Sequence, residues 1–328
     1  MADYPYIFGL FKSLESKLLN PNDIERMVDA PDAGSAFRVF NDTEFADNLL
    51  EVKIENFCQA LDDDLRQTRE IFEKVIEDRK IIEFIFSRYD FHNIKLSFKA
   101  KFSGRDLKEN ESLVGTVPPE NINKNIINEE KTDLPEHLKD VIDQAKTEFT
   151  KNQDPHFIDS FLDTAMFSYL RRLTDELKNN FISDFLALQI DLANVKIFLR
   201  AKRLKKTVQW LAEDLNPGGK IPVKDMLLAY DKEPKETLDT CCAYFDHRFR
   251  LIIEEYLKTQ NLWRLEQAFE NYELDFLKET KRLPYGPEIA IAYFYAKKNA
   301  LRQIRLIMTG KLNGVPPAEI RERLRELW

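Results

Sequence analysis

"DFHNIKLSFKAK" occupies residues 90–101, and "DLANVKIFLRAK" occupies residues 191–202. Asp, Asn, Lys, Ala and Lys coincide at five of the twelve positions, and Ile/Val, Leu/Ile and Lys/Arg exchanges fill three more. The stretches start 101 residues apart (90 against 191). A second landmark at a matching distance is needed before one phrase becomes a duplicated unit. "FCQALDDDL" (57–65) and "FIDSFLDTAMF" (157–167) supply it: Asp62 precedes Asp90 by 28 residues, and Asp163 precedes Asp191 by the same 28.

A third, more diverged copy follows. "LEQAFENYEL" (265–274) places Glu270 where Asp62 and Asp163 stand, and "ALRQIRLIMTGK" (300–311) answers the repeated phrase with Gln303 for Asn, Arg305 for Lys and a closing Lys311. A turn with Val or Ile and Pro, then an amphipathic run, comes after each copy: "LVGTVPPENINKNI" (113–126), "LNPGGKIPVKDMLLA" (215–229) and "LNGVPPAEIRERL" (312–324). Proline suits the start of a helix, where its missing N–H has no partner to lose. "LLNPNDIERMVDA" (18–30) is an earlier instance of this element. The expected division is therefore 1–126, with a partial extra unit at its start, then 127–229 and 230–328, closed into one compact body. The polar stretches 127–140 and 230–240 are the expected exposed connections.

Composition sets the class. Only 9 glycines occur in 328 residues, against about 7% in average proteins, and charged residues make up 32%. Sheets need glycine-rich turns, whereas long runs of Leu, Ile, Phe, Glu and Lys between prolines suit helices. Apolar spacing of i, i+3 and i+4 in Phe57, Leu61 and Leu65, then Phe72, Val75 and Ile76, predicts two helices with a bend over 57–87. Residues 158–188 repeat the style, and Pro287 opens a helix reaching about Met308. The fold class is all-α, in three tandem helical bundles.

On such helices the repeated letters fall on faces. Asp90 and Asn93, Asp191 and Asn194, and Gln303 mark one stripe, which ends on a small residue each time: Ala100, Ala201 and Gly310. A buried amide on such a stripe is expected to hydrogen-bond a neighbouring loop or helix end and fix packing. A second stripe carries Lys95 and Lys99, repeated as Lys196 and Arg200, with Arg305 in the third copy. Like charges at i, i+4 are mutually destabilising, so this stripe is either a solvated face or one that meets an acidic partner or neighbouring carboxylates.

The net charge of −8 disfavours a general nucleic-acid binder. Three cysteines form no metal spacing and no disulfide framework, which fits a reducing compartment, the cytosol. No stretch approaches the ~18 apolar residues of a membrane span. "DDD" (62–64) lacks the further acid of an aspartate-rich metal box, because Arg66 stands there, and three acids on a helix are expected to be solvated. "NPGGK" (216–220) lacks the first glycine and the following hydroxyl of a phosphate loop. His92, His137, His156 and His247 are scattered, and His92 is not retained in the other copies. No catalytic, cofactor or metal residues are expected.

Three tandem units marked "DFHNIK", "DLANVK" and "ALRQIR", together with "LLNPNDIERMVDA", "IDSFLDTAMF" and "IRLIMTGKLNGVPPAEIRERL", resemble the C subunit of the bacterial and archaeal V-type (A-type) rotary ATP synthases, the counterpart of the d subunit of the eukaryotic V-ATPase. The resemblance runs along nearly the whole chain and is weakest over 102–135. It implies a funnel with pseudo-threefold symmetry that performs no bond chemistry and holds no cofactor. Such a protein sits in the central rotor at the cytoplasmic side of the membrane, caps the proteolipid ring, and receives the foot of the central shaft. Lys95, Lys99, Lys196, Arg200 and Arg305 are then expected on the inner wall, meeting the shaft or balancing acidic residues. A free-standing helical-repeat scaffold for another protein partner is the alternative.

Overall fold

Leu, Phe and Ile recurring at helical spacing, with almost no glycine to turn a sheet, leave one kind of element. A computed structural model describes residues 4–43, 52–152 and 155–328, and its regular elements among those residues are all helical. The bend expected within 57–87 lies at 76–78, between the helices Phe57–Val75 and Arg79–Ser103. The second copy builds the pair Pro155–Leu177 and Asn180–Arg203. Its break is Lys178, left-handed at φ 52°, followed by Asn179, whose side-chain oxygen accepts from the Ile182 N–H at 3.1 Å. That is an N-cap, satisfying one of the donors a helix start leaves without an internal partner. The third pair is Leu262–Lys278, capped by Asn261, and Pro287–Leu312, with Pro287 in its first turn. Each copy thus supplies a leading helix and a long helix.

One expectation is corrected. Residues 231–236 are exposed as expected, but the stretch is not a plain connection: Pro234–Cys242 is a helix that buries Thr237, Leu238, Cys241 and Cys242. Pro234 reads as a turn residue but sits in the first helical turn, and Leu238, Cys241 and Cys242 fall at i, i+3 and i+4, a short apolar stripe. The 127–140 connection is non-helical only to residue 135, after which Glu136–Asn152 begins.

Packing divides the chain into two compact units. One joins residues 1–82 with 261–328, and the other is 83–260; the chain crosses between them inside the helix Arg79–Ser103 and again at 260/261. In the first unit the long helix Pro287–Leu312 packs against Tyr4–Glu15, Pro21–Asp29, Ala33–Arg38, Phe57–Val75 and Leu262–Lys278. Surrounded in this way, it is apolar over most of its circumference, as a central helix must be. Phe11 lies 4.8 Å from Phe72 and 5.4 Å from Tyr293, ring centre to ring centre, and Phe72 meets Phe294 edge-on at 6.0 Å. Full burial of each such ring is worth about 1.5–3 kcal/mol.

In the second unit Glu136–Asn152 packs on Pro155–Leu177, which packs on Asn180–Arg203. Phe84, Phe86, Phe91, Phe98, Phe185, Phe198 and Phe249 are buried in it. Rigid, ring-filled packing of this kind holds the repeated polar residues in fixed positions.

Candidate functional site

The repeated Asp and Asn of the long helices grip the loop that returns after each helix. In the first copy Asn93 Oδ1 accepts from the Ser112 N–H and its Nδ2 donates to the Ser112 carbonyl, both at 2.8 Å. One turn earlier, Asp90 accepts from the Thr116 N–H at 3.0 Å, the Thr116 hydroxyl at 2.6 Å and the Val117 N–H at 3.0 Å. The second copy repeats this with different loop residues. Asn194 accepts from the Asn216 N–H at 2.8 Å and donates to its carbonyl at 2.7 Å, while Asp191 accepts from the N–H groups of Lys220 at 2.7 Å and Ile221 at 3.0 Å.

A carboxamide carries the same donor and acceptor as a peptide group, so it can pair with both backbone groups of a single residue. Asp90, Asn93, Asp191 and Asn194 are all buried, where an unmade hydrogen bond would cost about 1–3 kcal/mol. The expectation that these amides bind a neighbouring loop is met in both copies.

Glycine makes the close approach possible. A Cβ on Gly115 would overlap Asp90 Oδ1, and one on Gly219 would overlap Asp191 Oδ1. "NPGGK" is therefore the loop of this clasp: Gly219 lies against the carboxylate and Lys220 donates its backbone N–H to it.

The third copy departs from the expected order. Gln303 Oε1 accepts from the Arg325 N–H at 3.2 Å, a residue beyond the short helix Pro317–Arg323 rather than ahead of it. The closing lysines explain the difference. Lys101 donates to the Ile126 carbonyl at 2.8 Å, at the end of the helix Pro119–Ile126, and Lys202 to the Tyr230 carbonyl at 2.7 Å, just past Val223–Ala229. Lys311 reaches the Ala30 carbonyl at 2.5 Å, the C-cap of Pro21–Asp29. The element "LLNPNDIERMVDA" thus takes the capped-helix place in the third copy, and residues near 325 take the loop place. Pro317–Arg323 is additional, and it presses Ile320 to within 2.9 Å of where a Gly310 Cβ would stand. A cation at these helix ends also meets the negative pole of the helix dipole.

The basic stripe is engaged in part. Lys95 pairs with Asp163 at 2.5 Å and Lys99 with Asp159 at 2.9 Å, while Arg305 pairs with Asp62 at 2.6 Å. In each case a long helix of one copy meets the leading helix of another: first to second, and third to first. Pairs this exposed contribute about 0–1 kcal/mol each, so they specify register more than they stabilise. Lys196 is half-buried and Arg200 exposed, with no carboxylate partner in their own unit among the described residues.

Sequence reasoning missed Asp64. Of the "DDD" triplet, Asp62 and Asp63 face solvent and pair with Arg305 and Arg66, but Asp64 is buried 2.9 Å from the buried Lys297. The pair borders a polar cavity of about 640 Å³ that Lys17, Asn20, Asp23 and Thr68 also line. Its partner lies far along the chain in a stretch of apolar letters, so only Lys297 itself, a charge inside "IAIAYFYAKKNA" (289–300), signals it.

The described residues include no group of His, Cys, Asp and Glu arranged to hold a metal ion, and no helix among them is long and apolar enough to cross a membrane. His92 is exposed with Nε2 3.1 Å from the Asn110 carbonyl, and His137 stacks on Tyr169 at 4.0 Å. The side chain of His156 lies outside the described ones.

A helical-repeat protein whose repeated polar residues bind its own backbone is the class these features define. The pattern of the ATP synthase (C/AC39) subunit family matches residues 7–323, and the chain belongs to that family. It is similar to the C subunit of the V-type sodium ATPase of Enterococcus hirae, 21% identical over 328 residues and 99% of each chain. It is also similar to the C subunit of the A-type ATP synthase of Methanocaldococcus jannaschii, at 22% identity over all of this chain and 87% of the relative, and of Desulfurococcus, at 24% over 99% and 91%.

Two outcomes test the clasp. Gly219→Ala forces the Asp191 carboxylate off its two N–H donors and is expected to cost about 2–4 kcal/mol in a urea titration, whereas a cost under about 0.5 kcal/mol would mean that the close approach is dispensable. Burial holds the Asp191 carboxyl up at about 6, against opposing hydrogen bonds from Ile221 and Lys220 and the charge of Lys220. A folded pKa above the unfolded value of about 3.9 means that the native state binds this proton more tightly. The contribution is full below about pH 4 and is lost as pH rises through about 6, some 2–3 kcal/mol in all. Asp191→Asn is expected to flatten that part of the stability–pH curve between about pH 4 and 6.5; parallel curves for the two proteins would exclude it.

Proposed function

We propose that this chain is the non-catalytic rotor component that joins the central shaft of a V/A-type rotary ATPase to the proteolipid ring, and so passes torque between ATP hydrolysis or synthesis and ion translocation. On this reading it sits at the cytoplasmic face of the membrane, held there through the complex. Family membership over residues 7–323 supports it, as do the names of its relatives: a V-type sodium ATPase subunit in one case and A-type ATP synthase subunits in others.

The observation that carries the proposal is the direction of the ion pairs between copies. Lys95 of the first copy meets Asp163 of the second, and Arg305 of the third meets Asp62 of the first. These are two of the three relations that a closed set of three copies would have. They support a pseudo-threefold funnel made from the repeats 1–126, 127–229 and 230–328. A torque-bearing collar needs stiff helices and few hinges, and 9 glycines in 328 residues meet that need. Two of those glycines, Gly115 and Gly219, serve as tight contacts rather than hinges.

Lys95, Lys99 and Arg305 are balanced by carboxylates, which leaves Lys196 and Arg200 as the members of the stripe with charge to offer a shaft. Charges at the rim of an interface govern association rate and its salt dependence. Lys196→Glu/Arg200→Glu is expected to weaken capture of the chain by the purified shaft proteins at least tenfold and to change its salt dependence, with the circular-dichroism spectrum unchanged. Undiminished capture would discard this assignment, and failure of the native chain to copurify with shaft and ring would discard the rotor reading.

A further inference from the structure

The three long helices end alike, with one exception that carries a charge. Three residues after each closing lysine the backbone turns left-handed: Gly104 at φ 66°, Lys205 at φ 51° and Gly314 at φ 66°. Glycine is the default there because it has no Cβ to crowd the preceding turn. The second copy keeps a lysine instead, and the turn is otherwise regular, with the Lys206 N–H donating to the Ala201 carbonyl at 3.0 Å. Left-handed residues other than glycine end other helices of this chain too, Lys178 and Gln260 among them, so it is the surroundings of Lys205 that distinguish it.

Residues 203–207 are all exposed. Arg203, Lys205 and Lys206 have no carboxylate partner among the described residues, although cations elsewhere in this chain of net charge −8 are commonly paired, as Lys95, Lys99, Arg305 and Arg321 are. Arg203 gives one N–H to the Gln260 carbonyl at 3.3 Å, and the Lys206 ammonium lies 5.3 Å from the centre of the Trp210 ring. Leu204, between the cations, is 52% exposed.

We infer that the turn Arg203–Trp210 docks on an anionic phospholipid surface. Three uncompensated cations meet headgroup phosphates, Leu204 enters the boundary between headgroups and acyl chains, and Trp210 supplies the amphipathic ring that such boundaries favour. An acidic protein segment would satisfy the cations, but an exposed leucine between them and a tryptophan beside them is the mix of charge and apolar boundary residues that a headgroup layer meets. The protein as a whole is acidic, so an anionic surface repels the rest of it, and a single basic turn also sets orientation. This binding is a property of the chain alone and does not depend on the rotor reading.

The test uses the full chain with vesicles of phosphatidylcholine, alone or with about 30% phosphatidylglycerol, in flotation assays at low and high salt. Binding to the anionic vesicles only, lost as salt rises, is expected. In a Trp263→Phe/Trp328→Phe background, Trp210 emission is expected to shift to the blue on binding. Arg203→Glu/Lys205→Glu/Lys206→Glu should lower affinity about 100-fold, at roughly fivefold or more per cation. Lys205→Gly separates strain from function: it should raise the melting temperature while weakening vesicle binding about fivefold. No binding to anionic vesicles, no Trp210 shift, or a triple variant that binds as well as the native chain would overturn the inference. Capture on immobilised polyglutamate without vesicle binding would also overturn it and would assign the turn to an acidic protein.

Discussion

A buried carboxamide that pairs with both backbone groups of one loop residue is the contact on which the rest of this protein depends. Asn93 and Asn194 each do the work of a strand neighbour inside an all-helical fold, and Asp90 and Asp191 hold the next few N–H groups of the same loop. Without them the returning loop would carry unpaired peptide groups into the core, at about 1–3 kcal/mol apiece. With them, the loop is fixed at two points one helical turn apart, and the short helix that follows starts from a defined place. The closing lysine then secures that helix at its far end. Helix, clasp, short helix and cap form one mechanical module.

The third copy shows that the module is a set of contacts rather than a stretch of chain. Gln303 takes its N–H from Arg325, and Lys311 caps a helix that begins at Pro21. Residues from opposite ends of the numbering complete one module inside one compact unit. Arg321, on the additional helix, reinforces the join by pairing with both Glu25 and Asp29. Ala300 stands where the other copies have the clasp Asp, and the Glu326 N–H of this loop donates instead to Asn271 Oδ1 at 2.9 Å.

Much of this was legible in the letters and some was not, for physical reasons. Helix pairs followed from apolar spacing, and the Asp and Asn stood out because the duplication preserved them. Their partners were invisible: the clasp binds backbone, so Ser112 and Asn216 need share no side-chain chemistry, and the stretch 102–112 that leads into the first loop shows no common pattern. The glycines at 115 and 219 carried a readable signal, two glycines at corresponding places in a glycine-poor chain. Pro234 misled, since a proline marks a turn and a first helical turn equally well. Asp64 was hidden because burial of a charge is decided by a partner in another helix, Lys297. Which cations of the basic stripe meet carboxylates was likewise a matter of neighbouring helices, beyond the reach of periodicity.

Native-state amide exchange at Ser112 and Asn216 measures the clasp most directly. In the intact protein both N–H groups should exchange as slowly as the helical core, and Asn194→Ala should speed exchange at Asn216 by at least tenfold while leaving Ser112 unchanged. Rapid exchange at both sites in the intact protein, or an Asn216 rate indifferent to the loss of the Asn194 amide, would contradict the claim that these side chains hold the modules together.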